Sequence, residues 1–234
     1  MTSSDNQPTN YDTIAAAALR LAGQSGWRGL SLGDIAIEAG ISLGEVSRCF
    51  ASRYDILDGF ERMIDRRMLD GAASGDIDDK PRDRLFDIIM ERFDAMLPYR
   101  DGIRRVAKEL PFDPASGLVM AAALPRAVSW MFAGARIDIA GPAMPLKLAA
   151  LGAIYLSVVR VWLGDENQDL AKTMAALDRG LDRAKSLFGG GFGPTSPTEP
   201  APTEGPVAET QPEPKPKPRA PRKPKAQQND AEID

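Results

Sequence analysis

Three helix-start signatures follow one another in quick succession and constrain this chain more tightly than anything else in it. They are Ser31 with Asp34, Ser42 with Glu45, and Ser52 with Asp55. In each pair a serine can accept a hydrogen bond from the backbone N–H three residues on, and the carboxylate there lies near the positive end of the helix. Between the first two, Ala39-Gly40-Ile41 puts a glycine where the chain can enter the left-handed region, end one helix and re-aim the next. Leu32, Ile35 and Ala36 share a face of the first helix, and Ile41, Val46 and Phe50 can close over it. The unit is a helix-turn-helix, whose second helix is the part such units place in a DNA major groove; a purely structural helical hairpin has the same local signature.

The rest of the chain also reads as helix. Helix formers dominate, strictly alternating β-branched or aromatic runs are missing, and the expected fold is all-α with about nine helices. Ile14, Ala17, Ala18 and Leu21 mark a first helix, Tyr11 to Ser25, ended by Gly23 and Gly26, after which Trp27 is expected to plug the small core. A fourth helix starts at Ser52 and runs to about Met68, and Asp70 to Lys80 is a polar loop. Pro81 opens the next helix, which Pro98 stops; Asp101 to Leu110 is a shorter one; Asp113-Pro114 starts another, in which Pro125 predicts a kink or a break. Gly134 to Pro145 is a loop, and the last helices, Leu146 to Leu163 and Leu170 to Phe188, are joined closely enough to be antiparallel neighbours.

This divides the chain into a disordered N-terminus (1–10), a three-helix reading head with the start of a linking helix (11–60), a larger helical domain (61–188) and a tail (189–234). The Pro-, Glu- and Lys-rich tail cannot bury enough apolar surface to offset ordering entropy and is expected to be disordered. Its Lys215, Lys217, Arg219, Arg222, Lys223 and Lys225 form a basic run between prolines, either a solubilising element or a tether to DNA or anionic lipid.

Composition removes several chemistries. The chain has no histidine, which rules out His-dependent triads, zinc motifs built on HExxH and imidazole pH switches, and a single cysteine, Cys49, which rules out an internal disulfide. The expectation is no metal, no cofactor and no enzyme: Asp78-Asp79 and Asp165-Glu166 sit in polar loops, where solvation is the default. The opening residues lack a basic stretch followed by an apolar run, and the apolar run Leu148 to Val159 is too short to span a bilayer. The expected location is the cytoplasm.

Residues 35–57 carry a recognisable pattern: Ile35-Ala36, Ala39-Gly40-Ile41-Ser42, Gly44, Phe50, Ser52, Arg53 and Leu57. It resembles the TetR family of bacterial regulators over about Tyr11 to Phe60. The resemblance implies a dimeric all-α repressor with an N-terminal DNA-binding domain and a larger domain holding a ligand pocket and the dimer interface. On that footing Ser42, Leu43, Gly44, Glu45, Ser47 and Arg48 lie on or near the helix that faces operator DNA, with Arg28, Ser31 and Arg53 as flanking phosphate contacts. Arg48 can reach a guanine edge or a phosphate, or can serve as a solvated partner for Glu45. Two departures bear on affinity: where the family usually has a lysine and a tyrosine touching phosphates, this chain has Leu43 and Ser47. Residues 1–65 also hold five basic side chains against nine acidic ones, a poor electrostatic footprint for DNA.

Candidates for contact with a small apolar ligand are Phe86, Phe93, Met96, Met120, Trp130, Phe132 and Tyr155, chosen for size and flexibility, with plain core packing as the alternative for each. Leu151, Tyr155, Val158 and Trp162 are the candidates for a homodimer interface in a four-helix bundle. From Trp130 to Ala184, with Asp165, Asp169, Leu177-Asp178-Arg179 and Leu181, the chain also looks like the coenzyme Q biosynthesis accessory proteins. That resemblance implies a TetR-like fold that binds an isoprenoid lipid and a partner hydroxylase, contacts a membrane and has lost DNA binding. Those proteins end in an amphipathic membrane helix where this chain has its proline-rich tail.

Overall fold

The computed structural model describes residues 10–72, 79–167 and 169–187, with only the backbone of 185–187. Among them lie nine α-helices and no strand: α1 (Asn10–Ser25), α2 (Leu32–Ala39), α3 (Leu43–Cys49), α4 (Arg53–Ala72), α5 (Pro81–Met96), α6 (Arg100–Glu109), α7 (Pro114–Gly134), α8 (Met144–Leu163) and α9 (Ala171–Leu187). The all-α expectation holds. The expected disorder of the N-terminus and tail, and most of the expected loop Asp70 to Lys80, lie outside the described residues; Asn10 already belongs to α1, and α4 extends to Ala72.

The serine caps form as their spacing requires. Ser31 and Ser42 each make a reciprocal capping box, with Asp34 and Glu45. Gly40 sits in the left-handed region at φ 67°, and its N–H and that of Ile41 close onto Ile37 and Ala36. At the third start Ser52 Oγ accepts the Asp55 N–H at 3.2 Å, but the Asp55 carboxylate accepts from Ala51 rather than from Ser52.

The prolines act more softly than expected. Pro98 and Pro111 each fall in a single 3-10 turn, Leu97–Tyr99 and Leu110–Phe112, through which one helix passes into the next. Pro125 does not break α7, which runs from Pro114 to Gly134. It occupies an exposed position, where water can meet the backbone carbonyl it leaves unpaired.

Gly23 does not end α1. It lies inside the helix where α6 crosses, facing Gly102: a Cβ on Gly102 would stand 1.9 Å from the Leu19 carbonyl oxygen. Only two glycines let the two backbones approach this closely. Trp27 is fully buried, but at a seam rather than in a small core of its own, with Nε1 donating to Ser116 Oγ at 2.8 Å at the start of α7. One continuous core therefore runs from Ile14 and Ile35 through Phe60 to Phe93, Trp162 and Leu181.

Helices α8 and α9 form an antiparallel hairpin, with Gly180 against Ile154. The buried Asp165 organises their connection by accepting the Thr173 N–H and hydroxyl, each at 2.9 Å. By length and composition α7 and α8 could each cross a membrane. Here α7 packs on α4, α5 and α8, and α8 packs on α7 and α9.

Candidate nucleic-acid interface and ligand cavity

Helix α3 buries Val46 and turns Leu43, Gly44, Ser47 and Arg48 outward on one face. The Arg48 guanidinium makes no close ion pair or hydrogen bond among the described residues, and its charge acts on Glu45 only through space. Glu45 is occupied instead: its carboxylate accepts from the Ser42 N–H at 3.2 Å and hydroxyl at 3.0 Å, and these bonds hold its carboxyl below the usual range. Ser31 is likewise committed, its hydroxyl donating to Asp34 at 2.6 Å. The exposed face is thus short, mostly uncharged and tipped by one solvent-exposed cation, Arg48.

The flanking arginines divide. Arg53 is turned inward: it donates to the Arg28 carbonyl at 2.5 Å, the Tyr54 hydroxyl at 2.9 Å and Asp113 at 3.3 Å. Its place among the expected phosphate contacts is therefore taken up by an internal latch. Arg28 remains exposed, its guanidinium above the Phe112 ring at 6.0 Å. The backbone N–H groups of Trp27 and Arg28 both donate to Glu109, at 3.1 and 2.8 Å. Glu109, Asp113 and Ser116, all around the α6–α7 junction, thereby hold the turn that precedes α2 and the start of α4.

Behind that junction lies an apolar cavity of about 320 Å³ lined by residues of α4, α5, α6, α7 and α8 and by Leu110 of the 3-10 turn. Of the ligand candidates, Met96, Met120 and Tyr155 line it. Phe93 and Phe132 are fully buried core, Phe93 stacking on Tyr155 at 5.7 Å and tilted against Trp162 at 5.6 Å. Phe86 packs at the edge of the core. Trp130 is 45 % exposed and borders a separate polar groove with Arg62, Arg66 and Arg126.

The charged end of the cavity is the part that periodicity did not single out. Arg92 is fully buried and donates to Tyr155 at 3.0 Å, Glu61 at 2.7 Å and Asp65 at 2.5 Å. Arg126 bridges Asp65 and Asp58, and Arg62 pairs with Asp58. Burial pushes the Glu61 carboxyl up despite the pull of Arg92, and pushes the Tyr155 phenol up as well. A signal existed: Arg92 falls on the same stripe as Ile88, Ile89 and Met96, and Glu61 and Asp65 are one turn apart in α4.

The interface candidates face inward. Leu151, Val158 and Trp162 are fully buried within the protomer and Tyr155 nearly so, because α8 turns this side toward α5 and α7. The outward side of α8 presents Ala149, Ala153, Leu156, Ser157 and Val161 instead.

Residues 14–59 match the family model described as bacterial regulatory proteins, tetR family. No curated protein matches the chain. Among solved structures, a TetR transcriptional regulator from Nitrosomonas europaea is similar at 26 % identity and a TM-score of 0.63, covering 77 % of this chain and all of the other. A TetR transcriptional regulator from a Rhodococcus species aligns at 18 % identity and a TM-score of 0.52, covering 74 % and 94 %. One from Streptomyces coelicolor aligns at 14 % identity and 0.53, covering 80 % and 85 %. Residues 14–59, the capped helix-turn-helix and its flanking helices, thus match the N-terminal model of the tetR family, and the described residues adopt a fold similar to that of solved TetR regulators.

Proposed function

We propose that the chain is a cytoplasmic TetR-type transcriptional repressor, not an enzyme, acting as a homodimer that binds operator DNA and releases it when a small apolar molecule fills the cavity. The observation that carries this reading is the outward face of α3, where Leu43, Gly44, Ser47 and Arg48 are exposed on a helix seated by Val46. Two such helices related by a two-fold axis would read half-sites about one DNA turn apart, roughly 34 Å. The exposed side of α8 around Ala153, Ser157 and Val161, with the neighbouring face of α9, is the proposed dimer surface.

The cavity can act on the reading head because they share walls. Ile103 and Leu110 line it, and the same stretch carries Glu109 and leads into Asp113, which grip Trp27, Arg28 and Arg53. A ligand that binds better when this stretch is displaced shifts the dimer toward a geometry that no longer matches the operator. Fluorescence polarisation with duplex from upstream of the protein's own gene tests the reading. Specific binding is expected, weakened roughly tenfold to a hundredfold by Arg48→Ala if that side chain reads a base.

A second reading keeps the fold and cavity and gives up the DNA: an isoprenoid-lipid-binding accessory protein of ubiquinone synthesis, touching a membrane. The acidic balance of the head favours it. The residues behind that resemblance also have structural tasks, since Asp165 caps α9, Asp178 pairs with Arg82, and Leu177 and Leu181 are core. Absence of DNA binding at low salt, with an isoprenoid lipid co-purifying, selects this reading.

A further inference from the structure

The polar end of the cavity has an unusual hydrogen-bond balance. The guanidinium of Arg92 is committed to Tyr155, Glu61 and Asp65. Tyr155 already accepts from Arg92, so its own proton is left with Met96 Sδ at 3.7 Å, a weak acceptor on a flexible side chain. Glu61 accepts through Oε2, and its Oε1 takes no hydrogen bond among the described residues. One donor and one acceptor thus border the same apolar space. The charges around them are already matched: Arg92, Arg126 and Arg62 stand against Glu61, Asp65 and Asp58. A ligand carrying net charge would bring it in unpaired.

The apolar end continues beyond the cavity. Leu124 and Leu156 line both the cavity and a surface groove of about 480 Å³ between α7 and α8, walled further by Pro145, Leu148 and Gly152. Gly152 packs close to Leu124 on the inner wall of this groove, where a Cβ would meet Leu124 at 3.6 Å. From Tyr155 to Pro145 the path along α8 is about 15 Å at the helical rise per residue.

We propose that the ligand is a linear amphiphile with an uncharged hydroxyl head seated between Tyr155 and Glu61 and an unbranched apolar chain that passes between Leu124 and Leu156 into this groove. The hydroxyl oxygen accepts a hydrogen bond from Tyr155, and the hydroxyl donates one to Glu61 Oε1. The proposal rests on the reading of the cavity as a ligand site, and its test uses no DNA, so operator binding is judged separately.

Isothermal titration of the full chain at neutral pH with hexanol, octanol and decanol reads the channel. Decanoate and decyltrimethylammonium read the head. Affinity is expected to rise about fourfold per added methylene, and both charged amphiphiles should bind at least about tenfold more weakly than decanol. Tyr155→Phe should weaken decanol about tenfold. Leu156→Trp, at a half-exposed site that tolerates change, should erase the advantage of decanol over hexanol. A flat chain-length series, equal binding of a charged amphiphile, an unchanged series in Leu156→Trp, or no binding of any alcohol overturns the proposal.

Discussion

The crossing of α1 and α6 offers the sharpest test of the packing that joins the reading head to the bundle. A Cβ on Gly102 would lie 1.9 Å from the Leu19 carbonyl oxygen, 2.8 Å from its carbon and 3.2 Å from its Cα. These are backbone atoms, so no side-chain rotation relieves the clash. Restoring even a close C···O contact of about 3.3 Å requires the helices to part by roughly 1.4 Å. That separation strips contacts along the whole of α1, and the cost of Gly102→Ala should reach at least ~3 kcal/mol. At about 2–4 °C per kcal/mol for a domain of this size, Tm should fall by roughly 6–12 °C in a circular dichroism melt. Gly117→Ala is the control: nothing lies within 4 Å of its added Cβ, and it sits inside α7. It should gain up to about 1 kcal/mol from helix propensity. Melting of Gly102→Ala at or above the parent temperature would refute the close-crossing argument.

Other parts of the structure make equally direct commitments. Ser42→Ala removes the cap of α3 and should cost about 1 kcal/mol, read as a lower Tm with the oligomeric state unchanged. Asp113→Ala leaves the half-buried Arg53 without its carboxylate and α7 without its cap; a loss of about 1–3 kcal/mol in a denaturant titration is expected. Ala153→Arg, on the outward side of α8, should convert the proposed dimer to monomer in size-exclusion chromatography with light scattering, without changing helicity. Val158→Ala, buried inside the protomer, should lower Tm by several degrees and leave the oligomeric state unchanged. The opposite pattern would return the interface to the inner face.

The reading head was the most legible part of the chain, because its signals are local. A serine, a carboxylate three residues on and a left-handed glycine define α2 and α3 without reference to anything distant. The long helices were legible from their apolar stripes to within a few residues at each end. What sequence could not show was which side of a two-sided apolar helix points where. Helix α8 is apolar nearly all round, so Leu151, Tyr155, Val158 and Trp162 looked as suited to a partner as to the core, and packing against α5 and α7 decided it. The same applies to Trp130, whose size suggested a cavity wall and whose place on α7 leaves it half exposed. Arg53 was displaced from expectation by Asp113, and the role of Arg92 was hidden because its partners Glu61 and Asp65 lie far away in sequence.

The central claim is that α3 reads DNA with little help from charge. Of the five basic side chains in residues 1–65, Arg20, Arg53 and Arg62 are engaged with Glu38, Asp113 and Asp58, which leaves Arg28 and Arg48 to meet phosphates. The most direct measurement is therefore the salt dependence of operator binding by a chain truncated before Lys215, so that the basic run of the tail is absent. With two cations from each protomer of a dimer, log K should fall against log salt with a slope between about −3 and −4, and binding should be specific at about 50 mM salt. Equal affinity for operator and unrelated duplex at that salt, or no binding to either, would contradict the claim.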